Sequence, residues 1–388
     1  MSHRGAVGKP PGSGGILIVA PRGCRFSPEG ATSIDLHIAE IVRASRHRPR
    51  ITVAAPAVAD PFPGIRHIPW DAQRRGRARD RTLAAIAQEE APALIVVHQH
   101  LGTAAGLARH LPGTPVALIR HNYVKPPGRG PLGWLSARLQ AARFARLAGL
   151  GFVSPALLEA FRAGWCGQAH PLKGPLPLFL TPNGIDTDLW QPQPKRDRLL
   201  FTGRLAPEKG VREAAEATVR LLAMHPGWEA VFVLDSREAD PAYAATVRQT
   251  LAPLGRRVAI HENIAHEAVR ALVATSAVAL VPTQAAEPFG RVALEAMATG
   301  AAVVASAAGG LGPLVEGAGI TLETPDTPAL VAAAGPLMAD EQARRRLATT
   351  ARARAERWNL AAAGQAFDTM ADRLSPALHP SEQEKPGQ

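Results

Sequence analysis

The chain has 388 residues with 46% hydrophobic, 35 Gly and 35 Pro, long enough for two or three domains and too apolar for a disordered polymer. Its net charge of +11 comes with no apolar run near the ~18 residues of a membrane span, no secretory signal pattern and no nucleic-acid-binding motif, and only 18 aromatic residues. Cys24 and Cys166 are too few and too far apart for a zinc knuckle or a disulfide framework, and are expected reduced and buried in a cytosolic protein.

In chain order, the first residues lead through Gly12-Ser13-Gly14-Gly15 into a strand at 16–20. A dinucleotide-binding glycine loop follows its strand and opens a helix, whereas this one precedes the strand, so a flexible lead-in is expected. Further strand-length apolar runs follow at 51–55, 93–97, 115–119 and 150–154, with helical stretches between several of them. After Leu189 to Arg198, a Pro- and charge-rich stretch read as a linker, the pattern restarts. Strands are predicted at 198–201, 230–234, 257–261, 277–281 and 301–306, with helices near 208–224, 241–253, 266–275 and 289–299. This alternation is that of buried parallel sheets, so the fold class is α/β with two Rossmann-like, doubly wound domains facing a cleft. The expected division is 1–190 for an N-terminal domain, 191–355 for a C-terminal domain, 356–375 for a C-terminal helix and 376–388 for a disordered tail. The first twelve residues or so are also expected to be disordered.

The charge is divided unevenly. Residues 1–180 carry 23 Lys and Arg against 9 Asp and Glu, while residues 181–388 carry 21 against 24. The positive field therefore belongs to the first half, and an anionic acceptor, an anionic membrane surface or a plain solvated Arg-rich face each fits it. Within that half, residues 132–147 place Leu132, Leu135, Leu139 and Leu147 on one helical stripe, bordered by Trp134 and accompanied by Arg138, Arg143 and Arg146. A helix between strands ordinarily buries such a stripe on the sheet, and that reading comes slightly first.

Two segments of the second half carry chemistry. Gly203-Arg204-Leu205-Ala206-Pro207-Glu208-Lys209-Gly210 lies at a strand end and a helix start. Lys209, one of six lysines, then opposes the helix dipole in the first turn, a conflict that an external anion or a pairing with Glu213 would relieve. In Glu287-Pro288-Phe289-Gly290-Arg291 through Glu295, eight residues are close to two helical turns. Glu287 in the loop and Glu295 on the helix are expected on nearly the same side, with backbone N–H groups of 289–291 at the helix start.

These segments, with Thr181-Pro182-Asn183-Gly184-Ile185-Asp186, Leu189-Trp190 and Val303-Val304-Ala305-Ser306 followed by Gly309-Gly310, give the chain a pattern that resembles the family 4 glycosyltransferases, retaining enzymes of the GT-B fold. The resemblance implies that Arg204 and Lys209 bind the donor's diphosphate beside Gly203. It implies that Glu287 holds donor-sugar hydroxyls near Phe289 and Gly290, that Glu295 holds the ribose, and that His121 of Arg120-His121-Asn122 is an active-site histidine. Gly30 would face the donor phosphate and acceptor, and the C-terminal helix near Trp358 would cross back onto the first domain. His98 and His100 are read first as hydrogen-bonded strand-end histidines.

Two departures from the family pattern stand out: Leu311-Gly312-Pro313 replaces the usual Pro-Glu pair, and Asp235-Ser236 follow a strand that usually runs into glycines. Asp186-Thr187-Asp188 has the spacing of a metal motif but is read as structural, so no metal or other cofactor is expected. The implied function is transfer of a sugar from a nucleotide diphosphate donor, first a UDP-sugar, to a glycan or lipid-linked acceptor in bacterial surface polysaccharide or lipopolysaccharide synthesis. No nucleic-acid partner is expected. The expected location is the cytoplasm, with peripheral contact at the inner face of the membrane through the basic half. The rivals are a nucleotide-sugar epimerase and a non-catalytic sugar-nucleotide or anionic-surface-binding protein.

Overall fold

The structure, a computed structural model, describes residues 14–126, 128, 130–166, 172 and 174–378. The chain forms two compact units, Met1–Gly184 with Leu360–Gln388, and Ile185–Asn359.

In the first unit seven strands run parallel: β1 (Ile16–Val19), β2 (Ile51–Pro56), β3 (Arg66–Trp70), β4 (Leu94–His98), β5 (Val116–Arg120), β6 (Gly149–Phe152) and β7 (Leu178–Leu180). Their order is β3-β2-β1-β4-β5-β6-β7, so the direction of winding reverses between β1 and β4. β1, β2 and β4 are buried along their whole length, as continuous apolar runs covered on both faces must be. The helix Ser33–Ala44 starts at a capping box: Thr32 Oγ1 accepts from the Asp35 N–H, and the Asp35 carboxylate takes the Thr32 N–H at 2.8 Å. Ile38, Ile41 and Val42 then form its buried stripe.

The C-terminal helix Leu360–Leu374 belongs to this unit for a local reason. A Cβ on Gly364 would stand 2.5 Å from the Ala44 carbonyl oxygen, so the bare glycine lets the two helices touch. Asp368 accepts from Ser45 Oγ and from the Arg46 N–H, and His47 Nε2 meets Asp372 Oδ1 at 2.9 Å. The expected disorder from 376 does not hold at its start. Pro376–Leu378 make a 3₁₀ turn with Leu378 buried, and Ser375 Oγ donates to the Ala93 carbonyl at 2.8 Å. The remainder of that tail, and the expected disorder at the N-terminus, lie outside the described residues.

The second unit repeats the topology with β8 (Arg196–Arg204), β9 (Glu229–Asp235), β10 (Val258–Glu262), β11 (Ser276–Val281), β12 (Ala302–Ser306) and β13 (Ile320–Leu322), all parallel, in the order β10-β9-β8-β11-β12-β13. Here the reversal falls between β8 and β11. Leu199, Phe201, Leu221, Phe232, Val278 and Leu280 lie in its core. The division between units falls at 184/185 rather than at 190. Trp190 is 1% exposed, its ring lies 5.6 Å from that of His266, and its carbonyl accepts from Arg352. The segment read as a linker is therefore core at Trp190 and strand from Arg196.

Candidate active site

The motif residues of the second unit meet at the C-terminal edge of its sheet, where β8 and β11 diverge, the place at which doubly wound sheets bind ligands. After Gly203 and Arg204, Pro207–Lys209 make a 3₁₀ turn and Gly210 takes φ +68°, so the α-helix starts only at Val211. Lys209 thus precedes the helix rather than lying in its first turn. Gly210 is dictated by space as well: a Cβ there would lie 2.0 Å from the Pro282 carbonyl oxygen. The loop after β11 is stitched to this turn, since the Glu208 carbonyl accepts from the Gln284 N–H and from Thr283 Oγ1, both at 2.9 Å.

The stitching brings Lys209 Nζ to 2.6 Å from Glu287 Oε2, with side chains 25% and 21% exposed. The pairing with Glu213 does not form; Glu213 is held by Arg212 at 3.1 Å. An ammonium has three N–H donors, and Glu287 uses one. Arg204 Nη2 meets Glu208 Oε1 at 2.8 Å in a half-exposed pair, an interaction worth ~0–1 kcal/mol that an incoming anion can replace.

Glu287 is fixed through its backbone, whose carbonyl accepts from the Gly310 N–H at 2.6 Å. A Cβ on Gly310 would stand 2.4 Å from the Pro288 carbonyl oxygen. Gly290, at φ +106°, caps the helix Arg291–Ala298. Phe289 is a buried wedge, its ring edge-on to Trp358 at 5.3 Å. Glu295 is buried on that helix, 3.0 Å from Arg291 Nε and 3.8 Å from His266 Nε2. The two glutamates therefore have separate partners. Arg291 and His266 had no role in the sequence reading, although an Arg four residues before a buried Glu is a legible helical pair.

At the departures, Leu311–Val315 form a short helix with Leu311 and Leu314 buried. Asp235 is gripped by Arg237 at 2.8 and 3.0 Å, which holds its carboxyl below the usual range. Asp186 Oδ1 accepts from the N–H groups of Asp188 and Leu189, both at 3.1 Å, and so closes a turn.

In the first unit His121 follows β5 and is buried. Its Nε2 lies 2.9 Å from His98 Nδ1 at the end of β4. The ring of His37, from the helix Ser33–Ala44, stands edge-on to His121 at 4.8 Å. His37 was missed; the signal was its position on the apolar stripe beside Ile38 and Ile41. Burial drives the His98 pKa down to about 3, and burial with the neighbouring His37, His98 and Arg120 drives His121 well below the usual histidine value. These are neutral rings near neutral pH.

The three histidines are the one group of His, Cys, Asp or Glu among the described residues whose donor atoms, all within 4.8 Å of one another, have the spacing of a metal site. A ring-to-ring hydrogen bond already engages His98 Nδ1 and His121 Nε2, while His98 Nε2 is buried without a hydrogen-bond partner. His121 is further fixed by its N–H to Gln99 Oε1 at 2.9 Å, and Gln99 adopts φ +65°. His100 instead caps the helix Leu101–His110, accepting the Thr103 N–H at 3.0 Å. Gly30 sits at φ +71° in the exposed loop after β1. Cys24 is buried, Cys166 half-buried, and neither is in a disulfide.

Residues 187–354 match the family described as glycosyl transferases group 1. The chain is 32% identical over 231 residues to the glycogen synthase of Mycobacterium tuberculosis, covering 57% of this chain and 55% of that protein. It is 28% identical over 331 residues to the alpha-maltose-1-phosphate synthase of the same organism, covering 76% of this chain and 81% of that one. The chain thus spans little more than half the length of the glycogen synthase it matches.

Among solved structures, the sucrose-phosphate synthase from Thermosynechococcus elongatus superimposes with a TM-score of 0.72 at 21% identity, covering 94% of this chain and 100% of that one. HepE of Anabaena, in complex with UDP and glucose, gives 0.71 at 22%, covering 93% and 99%. These likenesses show the fold: two Rossmann-like domains of the GT-B type. Residues 187–354, within the second unit, thus match the glycosyl transferases group 1 model, and the whole chain has the GT-B type of fold.

Proposed function

We propose that the protein is a retaining glycosyltransferase that moves a sugar from a nucleotide diphosphate donor, first a UDP-sugar, to a glycan or lipid-linked acceptor. The observation that carries the reading is the convergence of Arg204, Lys209 and Glu287 at the winding reversal of the second sheet. In this reading the donor diphosphate takes the two remaining Lys209 donors and displaces Glu208 from Arg204. The two cations then stabilise the charge that grows on the leaving phosphate, an electrostatic contribution set up before the reaction begins. Glu287, kept beside Lys209 by its pinned backbone, accepts from donor-sugar hydroxyls, and buried Glu295 with Arg291 holds the ribose. Gly203, Phe289 and Gly290 shape the loops around the donor. His121, a neutral ring fixed by Gln99 and His98, acts at the reacting sugar, with Gly30 lining the approach.

Because Arg204 and Lys209 can neutralise the diphosphate, the reaction is proposed to need no metal. The relatives include a lipopolysaccharide 1,2-N-acetylglucosaminetransferase of Salmonella typhimurium, 27% identical over 154 residues, in keeping with a role in surface polysaccharide synthesis. No helix among the described residues is long and apolar enough to cross a membrane. Action in the cytoplasm, with peripheral contact to anionic membrane through the helix Gly130–Phe144, completes the proposal.

Thermal-shift titration with UDP, GDP and ADP tests the donor assignment, since a ligand that binds only the folded state raises the melting temperature by mass action. UDP is expected to give the largest shift, unchanged by EDTA. No shift with any of the three nucleotides refutes a nucleotide-sugar site.

A further inference from the structure

The first unit holds a second site at its own winding reversal. A cavity of about 340 Å³, within the size range of small-molecule sites, is lined by the last residues of β1 and β4 together with Arg22, Trp70, Arg75, Arg79, His98 and His100. We propose that this cavity binds the phosphate of a phosphorylated sugar, so that a sugar phosphomonoester takes the place of the glycan or lipid-linked acceptor in the function proposed above.

Three observations lead there. First, the helix Gly76–Glu90 opens with Arg75 as its N-cap and Arg77 and Arg79 in its first turn, with no acidic residue there and no side-chain cap. The positive end of a 15-residue helix thus carries additional cations, an arrangement relieved by a bound anion. Second, the Trp70 ring lines the same cavity at 4% exposure, and its indole Nε1–H is buried without a hydrogen-bond partner. An unpaired buried N–H is costly and an oxyanion would satisfy it.

Third, the charges are unequally paired. Arg79 is engaged by Asp80 at 2.7 Å, and Asp80 is itself buried against Gly106, where a Cβ would lie 2.2 Å from its carboxylate. Among the described residues no carboxylate pairs with Arg22 or Arg75. Two free guanidiniums and an indole N–H match a dianionic phosphate better than a single carboxylate, because each guanidinium can grip two oxygens. His98 lines the cavity and is hydrogen-bonded to His121, so a sugar held here by its phosphate lies one residue from the proposed active-site histidine.

The word acceptor rests on the glycosyltransferase reading, whereas the phosphate site does not. Calorimetry on the full chain with the 6-phosphates of glucose, mannose and fructose, the free sugars, inorganic phosphate and UDP separates the two. At least one sugar phosphate is expected to bind roughly 10-fold or more tightly than both its free sugar and inorganic phosphate. Arg22→Gln with Arg75→Gln should weaken it by a similar factor, and Trp70→Phe, which keeps the ring and deletes the donor, by about 5-fold. UDP affinity should be unchanged in all of these variants. Equal affinity for sugar and sugar phosphate, or for phosphate and sugar phosphate, or wild-type affinity in the double variant, overturns the inference. Phosphate-dependent binding in a chain that fails to bind UDP would keep this site and remove the donor reading instead.

Discussion

The two sheets wind alike and reverse alike, yet the loops at their reversals carry opposite kinds of chemistry. In the second unit the charges are matched: Lys209 with Glu287, Arg204 with Glu208, Arg291 with Glu295. In the first unit the centre is a set of buried neutral histidines beside arginines of which two have no carboxylate partner among the described residues. A matched site can admit an anion by exchanging one partner for another and stays stable when empty. An unmatched cationic site favours an anion outright and is less stable without one. In the proposed reading the topology places each ligand and the loops select it. The family match falls within the second unit, while the likenesses to alpha-maltose-1-phosphate synthase and to sucrose-phosphate synthase extend over 76% and 94% of the chain.

The sharpest way to break this comparison is to remove the cations of the matched site. Lys209→Ala and Arg204→Ala should each lower turnover on the order of 100-fold or more while the fold is retained by circular dichroism, because each removes a charge placed to meet the developing anion. Near wild-type turnover in both would reduce the Lys209–Glu287 pair to a structural staple between two loops.

How much of this was legible in the sequence follows physical range. The interior strands were readable because buried parallel strands are unbroken apolar runs, and Ile16–Val19 and Ser276–Val281 differ from expectation by a residue at most. Three edge strands were not. β3 carries Arg66, His67 and Pro69 and is only partly buried, while β7 and β13 are three residues long; their neighbours, more than their composition, make them strands. Arg204, Lys209, Glu287 and Glu295 were identifiable as candidates by motif. That Lys209 pairs with a residue 78 positions away was not, since nothing local encodes a contact between loops from different strands. His37 was hidden for the converse reason: one polar residue in an apolar helical stripe reads as noise until its partners on β4 and β5 are known.

The histidine cluster offers a second, smaller test of the contrast. His98 titrates near 3 when folded and near the usual 6.5 when unfolded. The unfolded chain therefore binds the extra proton throughout the interval between these values. Stability is complete above 6.5 and is lost as pH falls toward 3, by up to ~1.4 kcal/mol per pH unit from this residue. His121 shifts in the same direction and adds to the effect. The melting temperature should fall between pH 6.5 and 4.5, and His98→Gln should flatten that fall while lowering stability at pH 7.5. A wild-type slope in the variant would mean that the histidines are not what makes the first unit acid-sensitive.

The smallest expected effect concerns the surface of the first unit. The Leu132 to Leu147 stripe was expected to lie on the sheet, and the structure reverses that. The helix Gly130–Phe144 turns Ala137, Ala141 and Phe144 inward, while Leu132, Leu135 and Leu139 are 85%, 52% and 58% exposed on the opposite side; Leu147 alone of the four is buried. Trp134 is exposed as well, with the Arg138 guanidinium 4.6 Å from its ring centre. Two alanines and Phe144 inside with three leucines and Trp134 outside, and Arg143 and Arg146 exposed nearby, give the apolar and basic outer face that the proposed lipid contact requires. Vesicle co-sedimentation should rise with anionic lipid content and fall with salt. Changing Arg138, Arg143 and Arg146 together to Gln should remove about 1 kcal/mol of attraction each. Leu132, Leu135 and Leu139 changed to Ser should also weaken sedimentation yet leave the melting temperature within a degree or two, because exposed leucines contribute little to folding. A large loss of stability would mean that the stripe is packed after all, and equal sedimentation with neutral and anionic vesicles would leave the positive charge of the first half to its phosphate cavity alone.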